Sequence, residues 1–229
     1  MIIFLNFSFL FDWYSLSLLL QGLMLTLILA FLAVVFGSIL ALIPAFMRLS
    51  KNKFISSPAV FYVEIIRGTP MLVQVLLIYQ ILNIPLFLIG GMDMGSFIPG
   101  LVALLINSSA YISEIIRGGI LAVDKGQTEA ARSLGLSQGQ TMFKVVLPQA
   151  IKNIFPSLGN EFVTIIKETS IFMYLGIAEL MYQVGIIKSS SPAVTELYIV
   201  AGLLYLALTF PLSKLMNRVE RRLRYADQR

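Results

Sequence analysis

Glu161 is the residue whose type and setting carry the most chemistry in this chain. It lies in an apolar stretch, Leu147–Ile166, with no basic residue within one helical turn, and an acid among hydrocarbon is costly without a counter-charge. Asn160 and Thr164 accompany it at four-residue spacing, so the two share a helix face with Glu161 alongside. A second cluster holds Asn107, Ser108 and Ser109, with Asn107, Tyr111 and Glu114 spaced i, i+4, i+7. A third centres on Thr69, where Pro70 removes a backbone donor and frees local backbone. Such groups suit recognition of a small polar molecule. Each Ser, Thr or Asn can equally serve as interhelical glue, and Glu161 can equally pair with Arg67 or Arg117.

Covalent chemistry finds few candidates. The chain has no Cys and no His, which excludes thiol nucleophiles, Ser-His catalysis and the usual zinc and haem ligands. An enzyme would need a Ser-Lys or carboxylate site, and no such cluster stands out. Glu64-Ile65-Ile66-Arg67-Gly68 recurs as Glu114-Ile115-Ile116-Arg117-Gly118. Each copy sets Glu and Arg at i, i+3, where they can pair. The simplest reading is a pair of internal ion locks near the cytoplasmic face; the sharper one turns a member toward a polar pathway.

The elements that position these residues follow from composition. Of 229 residues, 58% are hydrophobic and 13% charged, against about 45–50% and 25% in soluble domains. Mean hydropathy is +0.86. These values exclude disorder, a nucleic-acid-binding tail and an ordinary soluble enzyme, and make lipid the main solvent. Uncharged runs of 35, 25, 20 and 17 residues follow Asp12, Arg67, Asp93 and Glu196. With roughly 20 residues needed per crossing, five spans are expected: Leu16–Met47, Ser57–Leu82, Phe97–Leu121, Leu147–Ile166 and Thr195–Met216. The whole of 1–229 reads as one membrane domain. The N-terminus lacks a basic n-region and a small-residue cleavage site; its Phe4, Phe7, Phe9, Phe11, Trp13 and Tyr14 read as an interfacial anchor.

Orientation follows from Lys and Arg. The loop after span 1, the loop after span 3 with Lys152, and the tail through Arg229 hold 13 of the 17 basic residues, whereas the opposite side holds Lys167 and Lys188. The positive-inside rule then puts the N-terminus outside and the C-terminus in the cytoplasm.

The basic loop of about 124–146 reads as two short helices joined at a glycine. Thr128 can cap the first and Glu129 favours its N-terminal dipole. Gly135 can end it left-handed, and Ser137 with Gln140 forms a capping box for the second. Pro148 follows at the mouth of span 4.

This loop resembles the EAA loop of membrane (permease) subunits of bacterial type I ABC importers: Glu129-Ala130-Ala131, three residues, Gly135, nine residues, Val145 where isoleucine is usual, then Leu147-Pro148. Arg67-Gly68-Thr69-Pro70 with Leu72-Val73-Gln74 resembles the second-span motif of the polar amino-acid permeases. Tyr111, Glu114-Ile115 and Arg117-Gly118-Gly119-Ile120 resemble their third-span end, and Lys167-Glu168-Thr169-Ser170 the segment after their fourth span.

The resemblance, which runs from about Gly22 to the C-terminus, implies an all-α integral membrane fold, five transmembrane helices with a cytoplasmic coupling helix. It implies a multi-pass protein of the bacterial inner membrane. A second permease, here expected to be a second copy, two ABC ATPase subunits docked on Glu129, Ala130, Ala131, Ser133, Leu134 and Gly135, and an extracytoplasmic amino-acid-binding protein are the implied partners. The chain has no Gly-x-x-x-x-Gly-Lys-Ser/Thr phosphate loop, so it is expected to bind no cofactor; ATP and Mg belong to the partner ATPase. The substrate is then a polar amino acid moved by alternating access. Thr69, Asn107, Ser108, Asn160 and Thr164 would meet its common part and Glu161 its side chain, with Glu114 in reserve. An acid there favours arginine, lysine or protonated histidine. Glutamine or glutamate is the alternative within the class; a stand-alone channel or scaffold, outside it, has no need of a docking helix.

Overall fold

Hydrocarbon offers no partner to backbone N–H and C=O groups, so an apolar chain satisfies them within helices. The computed structural model describes residues 7–226; Phe4 of the aromatic anchor and Gln228 and Arg229 of the basic tail lie outside them. After a short 3-10 turn at Ser8–Phe11 come α1 (Trp13–Leu49), α2 (Lys53–Gly68), α3 (Met71–Leu82), a two-stranded hairpin, α4 (Met94–Leu121), α5 (Lys125–Ser133), α6 (Gln138–Thr141), α7 (Leu147–Glu168), α8 (Leu180–Ser190) and α9 (Val194–Ala226). A π-helical stretch, Met142–Val146, joins α6 to α7, and a 3-10 stretch, Thr169–Leu175, follows α7.

Three helices are long and apolar enough to cross a membrane alone, Trp13–Leu49, Met94–Leu121 and Val194–Leu223, and two bent pairs raise the number to as many as five. The thirty-seven residues of α1 extend roughly 55 Å, more than the hydrocarbon needs, so α1 tilts or projects. The expected second span, Ser57–Leu82, is not one helix. It breaks between Gly68 and Met71, because Pro70 disfavours helical backbone at Thr69 and has no N–H of its own. α3 restarts at Met71, and the Gln74 amide caps the break by donating to the Thr69 hydroxyl and carbonyl at 2.8 and 3.0 Å.

The hairpin, β1 (Leu88–Ile89) and β2 (Met92–Asp93), is antiparallel. Gly90 and Gly91 both have positive φ, the conformation of a tight primed turn. Nothing in the apolar pattern had marked it as sheet.

The chain divides into two compact units. One holds the chain up to Ala33, Thr69–Leu105 and Phe162–Pro211; the other holds Val34–Gly68, Ile106–Glu161 and the chain from Leu212. The first has its core in Phe9, Leu19, Leu180, Val184, Ile187 and Leu197. Here Gly22 of α1 lets the backbone of α8 approach; a Cβ on it would lie 2.8 Å from Leu180 Cα. Glu179, fully buried, caps α8 by accepting from Met181 N and Tyr182 N at 3.0 and 2.8 Å and takes the Tyr205 hydroxyl of α9 at 3.2 Å.

The second unit has its core in Ala41, Ala45, Ile112, Ile116, Val146 and Ala150. Small residues again set the contacts: Gly37 of α1 meets Ser108 of α4, Gly119 of α4 meets Ile154 of α7, and Gly159 of α7 meets the Met216 thioether of α9. In lipid, where apolar burial between helices gains little, such close approach is what packing depends on.

Candidate functional site

The loop after α4 is folded by local caps into two short helices. Asp124 is the N-cap of α5, its carboxylate accepting from Gly126 N at 2.7 Å. Thr128, expected in that role, sits inside the helix, because Asp124 caps three residues before Gln127 and α5 starts a turn earlier. The C-terminal end is a Schellman turn. Gly135 has φ +86°, its N–H donates to Arg132 O at 3.0 Å, and Leu136 N–H donates to Ala131 O at 3.2 Å. The Arg132 guanidinium closes the same turn on Leu136 O at 2.6 Å.

Ser137 and Gln140 make both bonds of the expected capping box. Gln149 of α7 reaches back to the Gln127 side chain of α5 at 3.2 Å. Ala131 faces inward at 4% exposure, while Leu134 at the tip is 83% exposed. Glu129, Ala130 and Ser133 are also exposed. The helix thus presents an acid, small residues and a bare leucine on its exposed side.

The ion lock differs from its expected form. Arg117 grips Glu114 with Nε and Nη2, at 3.2 and 3.0 Å. Arg48 of α1 also ion-pairs with Glu114, and Arg67 Nη1 of α2 lies 3.9 Å from it. Arg67 sits over the Tyr111 ring, 5.2 Å from its centre, a cation–π distance. The second copy of the repeat therefore pairs within itself. The first does not: among the described residues no ion pair joins Glu64 to Arg67, because Arg67 turns to Glu114 and Tyr111. Three helices are joined through one carboxylate, which assigns Glu114 a structural part.

Ser109 also works as glue: the Tyr62 hydroxyl of α2 meets its Oγ at 2.6 Å and donates to Ile106 O at 2.8 Å. Ser108 is fully buried against Gly37, and Asn107 is 4% exposed.

The remaining candidates lie on α7 and at the α2–α3 break. Asn160 is exposed and Glu161 half-buried. Asn160 lines a cavity of about 360 Å³ with Lys152, Asn153, Pro156 and Ser157 of α7, Ala122 after α4, and Glu220 and Leu223 of α9. Asn107 and Ser108 do not line it. Thr164, half-buried, and Thr69, exposed, belong to the other unit. Sequence reasoning missed Arg48 and Tyr62 as partners across helices and missed the Lys152–Glu220 cavity. The i, i+4, i+7 spacing of Asn153, Ser157 and Asn160 was the available signal for the last.

Residues 33–225 match the family of binding-protein-dependent transport system inner membrane components. The chain is 39% identical to a probable glutamine ABC transporter permease protein of Bacillus subtilis (strain 168), over 95% of this chain and 98% of that one. It is 35% identical to the glutamine transport system permease protein of Escherichia coli (strain K12), covering 93% and 95%. It is 38% identical to an arginine transport system permease protein of Bacillus subtilis (strain 168), covering 91% and 93%. Its fold matches the crystal structure of an amino acid ABC transporter with histidines, with TM-score 0.84, 45% identity and coverage of 97% and 100%. A methionine ABC transporter in an inward-facing conformation shares the fold alone, at TM-score 0.75 and 17% identity.

Proposed function

The chain belongs to the family of binding-protein-dependent transport system inner membrane components, as the permease subunit of a type I ABC importer, and from that premise we propose that it moves basic amino acids inward on energy from a partner ATPase. The coarser assignment, a polar amino-acid importer of the inner membrane, rests on the relatives' shared chemistry. The observation that carries it in this chain is the capped, outward-facing α5 with its EAA pattern.

The proposed cycle uses α5 as a lever. Glu129, Ala130, Ala131, Ser133, Leu134 and Gly135 seat in a groove of an ABC ATPase subunit, two copies serving a dimer of this chain. Closure of the ATPases on ATP draws the two levers together and rocks the spans outward-open; hydrolysis reverses this. The free energy comes from the different contacts α5 makes in the two states. ATP and Mg act on the partner, and this chain's part is to bind, gate and transmit. The proposed orientation places α5 and the basic tail in the cytoplasm and the N-terminus outside, where the binding protein delivers its load.

Specificity is assigned to Glu161, with Asn160 beside it on α7 serving the amino-acid head group. A guanidinium–carboxylate pair is bidentate and strong where water is scarce. Glutamine is the second reading, favoured by the names of two relatives. The test is ATPase stimulation of the reconstituted complex by loaded binding protein. Arginine, lysine or histidine is expected to stimulate and glutamine not; stimulation by glutamine alone overturns the basic assignment and keeps the importer.

A further inference from the structure

We propose that Lys167, with Ser170 and Tyr174, anchors the α-carboxylate of the transported amino acid at mid-membrane depth. This rests on the import reading given above and adds a station that reads the carboxylate. The fourth apolar run ends at Ile166, but α7 continues to Glu168 and passes straight into the 3-10 stretch Thr169–Leu175. Lys167, Ser170 and Tyr174 line one cavity of about 470 Å³, walled by Met173, by Met181 of α8 and by Tyr205 of α9. Tyr205 fixes its depth. It stands nine residues after Glu196 and nine before Lys214, the charges that bound the last span, and so lies at mid-span. Its hydroxyl is held by Glu179 at 3.2 Å, and Leu180 N, next to that acid, donates to Thr26 Oγ1 of α1 at 3.3 Å. Three helices thus share this level, and the cavity opens beside it.

A cation at that depth calls for an anion. Nine helical residues rise roughly 14 Å, further than a lysine stem carries its charge toward the headgroups, and a charge inside the membrane faces a polar path or another subunit rather than lipid. Lys167 is exposed on this chain, and among the described residues no ion pair reaches it. The neighbouring acid, Glu168, is half-buried, and consecutive helical residues do not face each other. Tyr174, 65% exposed, brings a phenolic donor to the same space. The Ser170 hydroxyl donates to Lys167 O at 2.7 Å, which leaves its oxygen to accept from an ammonium. One ammonium and one phenol suit a carboxylate through charge-assisted bonds, and the serine oxygen suits the amine beside it. Met173 and Met181 are flexible walls that adapt to unlike side chains, so the anchor reads the head group. The volume falls within the roughly 300–1,000 Å³ range of small-molecule sites.

Thiol protection in the permease–ATPase complex, held in nanodiscs, tests this. The chain has no native Cys, so Met173→Cys places a single permease thiol in the cavity wall, and its maleimide labelling is followed by intact mass. Arginine should slow labelling several-fold, whereas agmatine, which is arginine without the carboxylate, should not. With Lys167→Met added, the half-protecting arginine concentration should rise about tenfold or more, as expected for a lost charge-assisted bond, and Lys167→Arg should hold it within a few-fold of the parent. Tyr174→Phe should raise it several-fold and carries the test should Lys167→Met fail to fold. Protection by glutamine and not arginine, still lost with Lys167→Met, keeps the anchor and overturns the basic assignment. Protection that is absent, equal with agmatine, or unchanged in Lys167→Met and Tyr174→Phe overturns the anchor. A Lys167→Met complex that keeps full protection but loses its second permease copy also overturns it, since Lys167 then pairs across the dimer. If the parent complex imports arginine in proteoliposomes without such protection, the anchor falls and the importer stands; if it imports no amino acid, both fall.

Discussion

Arg117 holds Glu114 through two parallel bonds, Nε at 3.2 Å and Nη2 at 3.0 Å, from one turn further along α4. Arg48 and Arg67 come to the same carboxylate from α1 and α2. A single carboxylate therefore bridges guanidiniums carried by three helices. Removing Glu114 leaves the guanidiniums of Arg48 and Arg117 in a partly buried setting without their counter-charge. Glu114→Ala should lower the thermal unfolding midpoint in detergent sharply. Arg67→Ala, whose side chain is 44% exposed, should lower it least. A Glu114→Ala protein as stable as the parent would remove the lock from the account.

The Schellman turn at Gly135 should matter to the partner more than to the permease fold. A non-glycine residue at φ +86° costs roughly 1–2 kcal/mol. Gly135→Val should loosen α5 and reduce co-purification of the ATPase. Deleting Glu129 to Gly135 should abolish it while the permease remains folded. Intact co-purification after the deletion refutes docking on α5.

Glycine packing gives a contrast within one residue type. A Cβ at Gly22 meets the backbone of Leu180 at 2.8 Å, while one at Gly118 meets nothing within 4 Å. Gly22→Val should destabilise by about 1–3 kcal/mol, the range for an overpacked core. Gly118→Ala should be neutral or stabilise by up to about 1 kcal/mol, from helix propensity. Thermal unfolding of the two variants beside the parent checks both, and equal losses would contradict the packing described.

The elements were legible where lipid leaves the sequence no choice. Uncharged runs led to the expectation of five crossings, and the structure has three helices long and apolar enough to cross alone, or up to five with each bent pair taken as one span. Gly135 and the Ser137–Gln140 box were readable because capping is a local matter. What escaped was tertiary. Arg67 forsakes Glu64 on its own helix for Glu114 and Tyr111, a choice that only packing decides. Glu179 carries no signal in the sequence, yet it is fully buried and accepts from the Tyr205 hydroxyl. Thr128 matched a capping residue but Asp124 lay earlier. At the site, spacing placed Asn160 and Glu161 correctly on α7, but could not show that Glu220 of α9 shares the cavity of Asn160.

Topology and copy number are open to simple measurement. The chain has no native Cys, so a lone cysteine at Gln228 reports cleanly. It should resist impermeant thiol reagents in intact cells and react after permeabilisation; labelling in intact cells reverses the proposed orientation.

A native mass of the detergent-extracted complex should contain two copies of this chain and two of the ATPase. One copy beside a different permease refutes the homodimer and leaves the importer.

The central claim is that Glu161 selects a cationic amino acid for ATP-driven import. Its most direct test is uptake of labelled arginine and lysine into ATP-loaded proteoliposomes by parent and Glu161→Gln complexes. Losing one member of a desolvated charge pair costs roughly 2–5 kcal/mol, so the variant's uptake should fall at least tenfold at limiting substrate, with assembly and basal ATPase activity retained. Parental rates of arginine and lysine uptake by Glu161→Gln would contradict it.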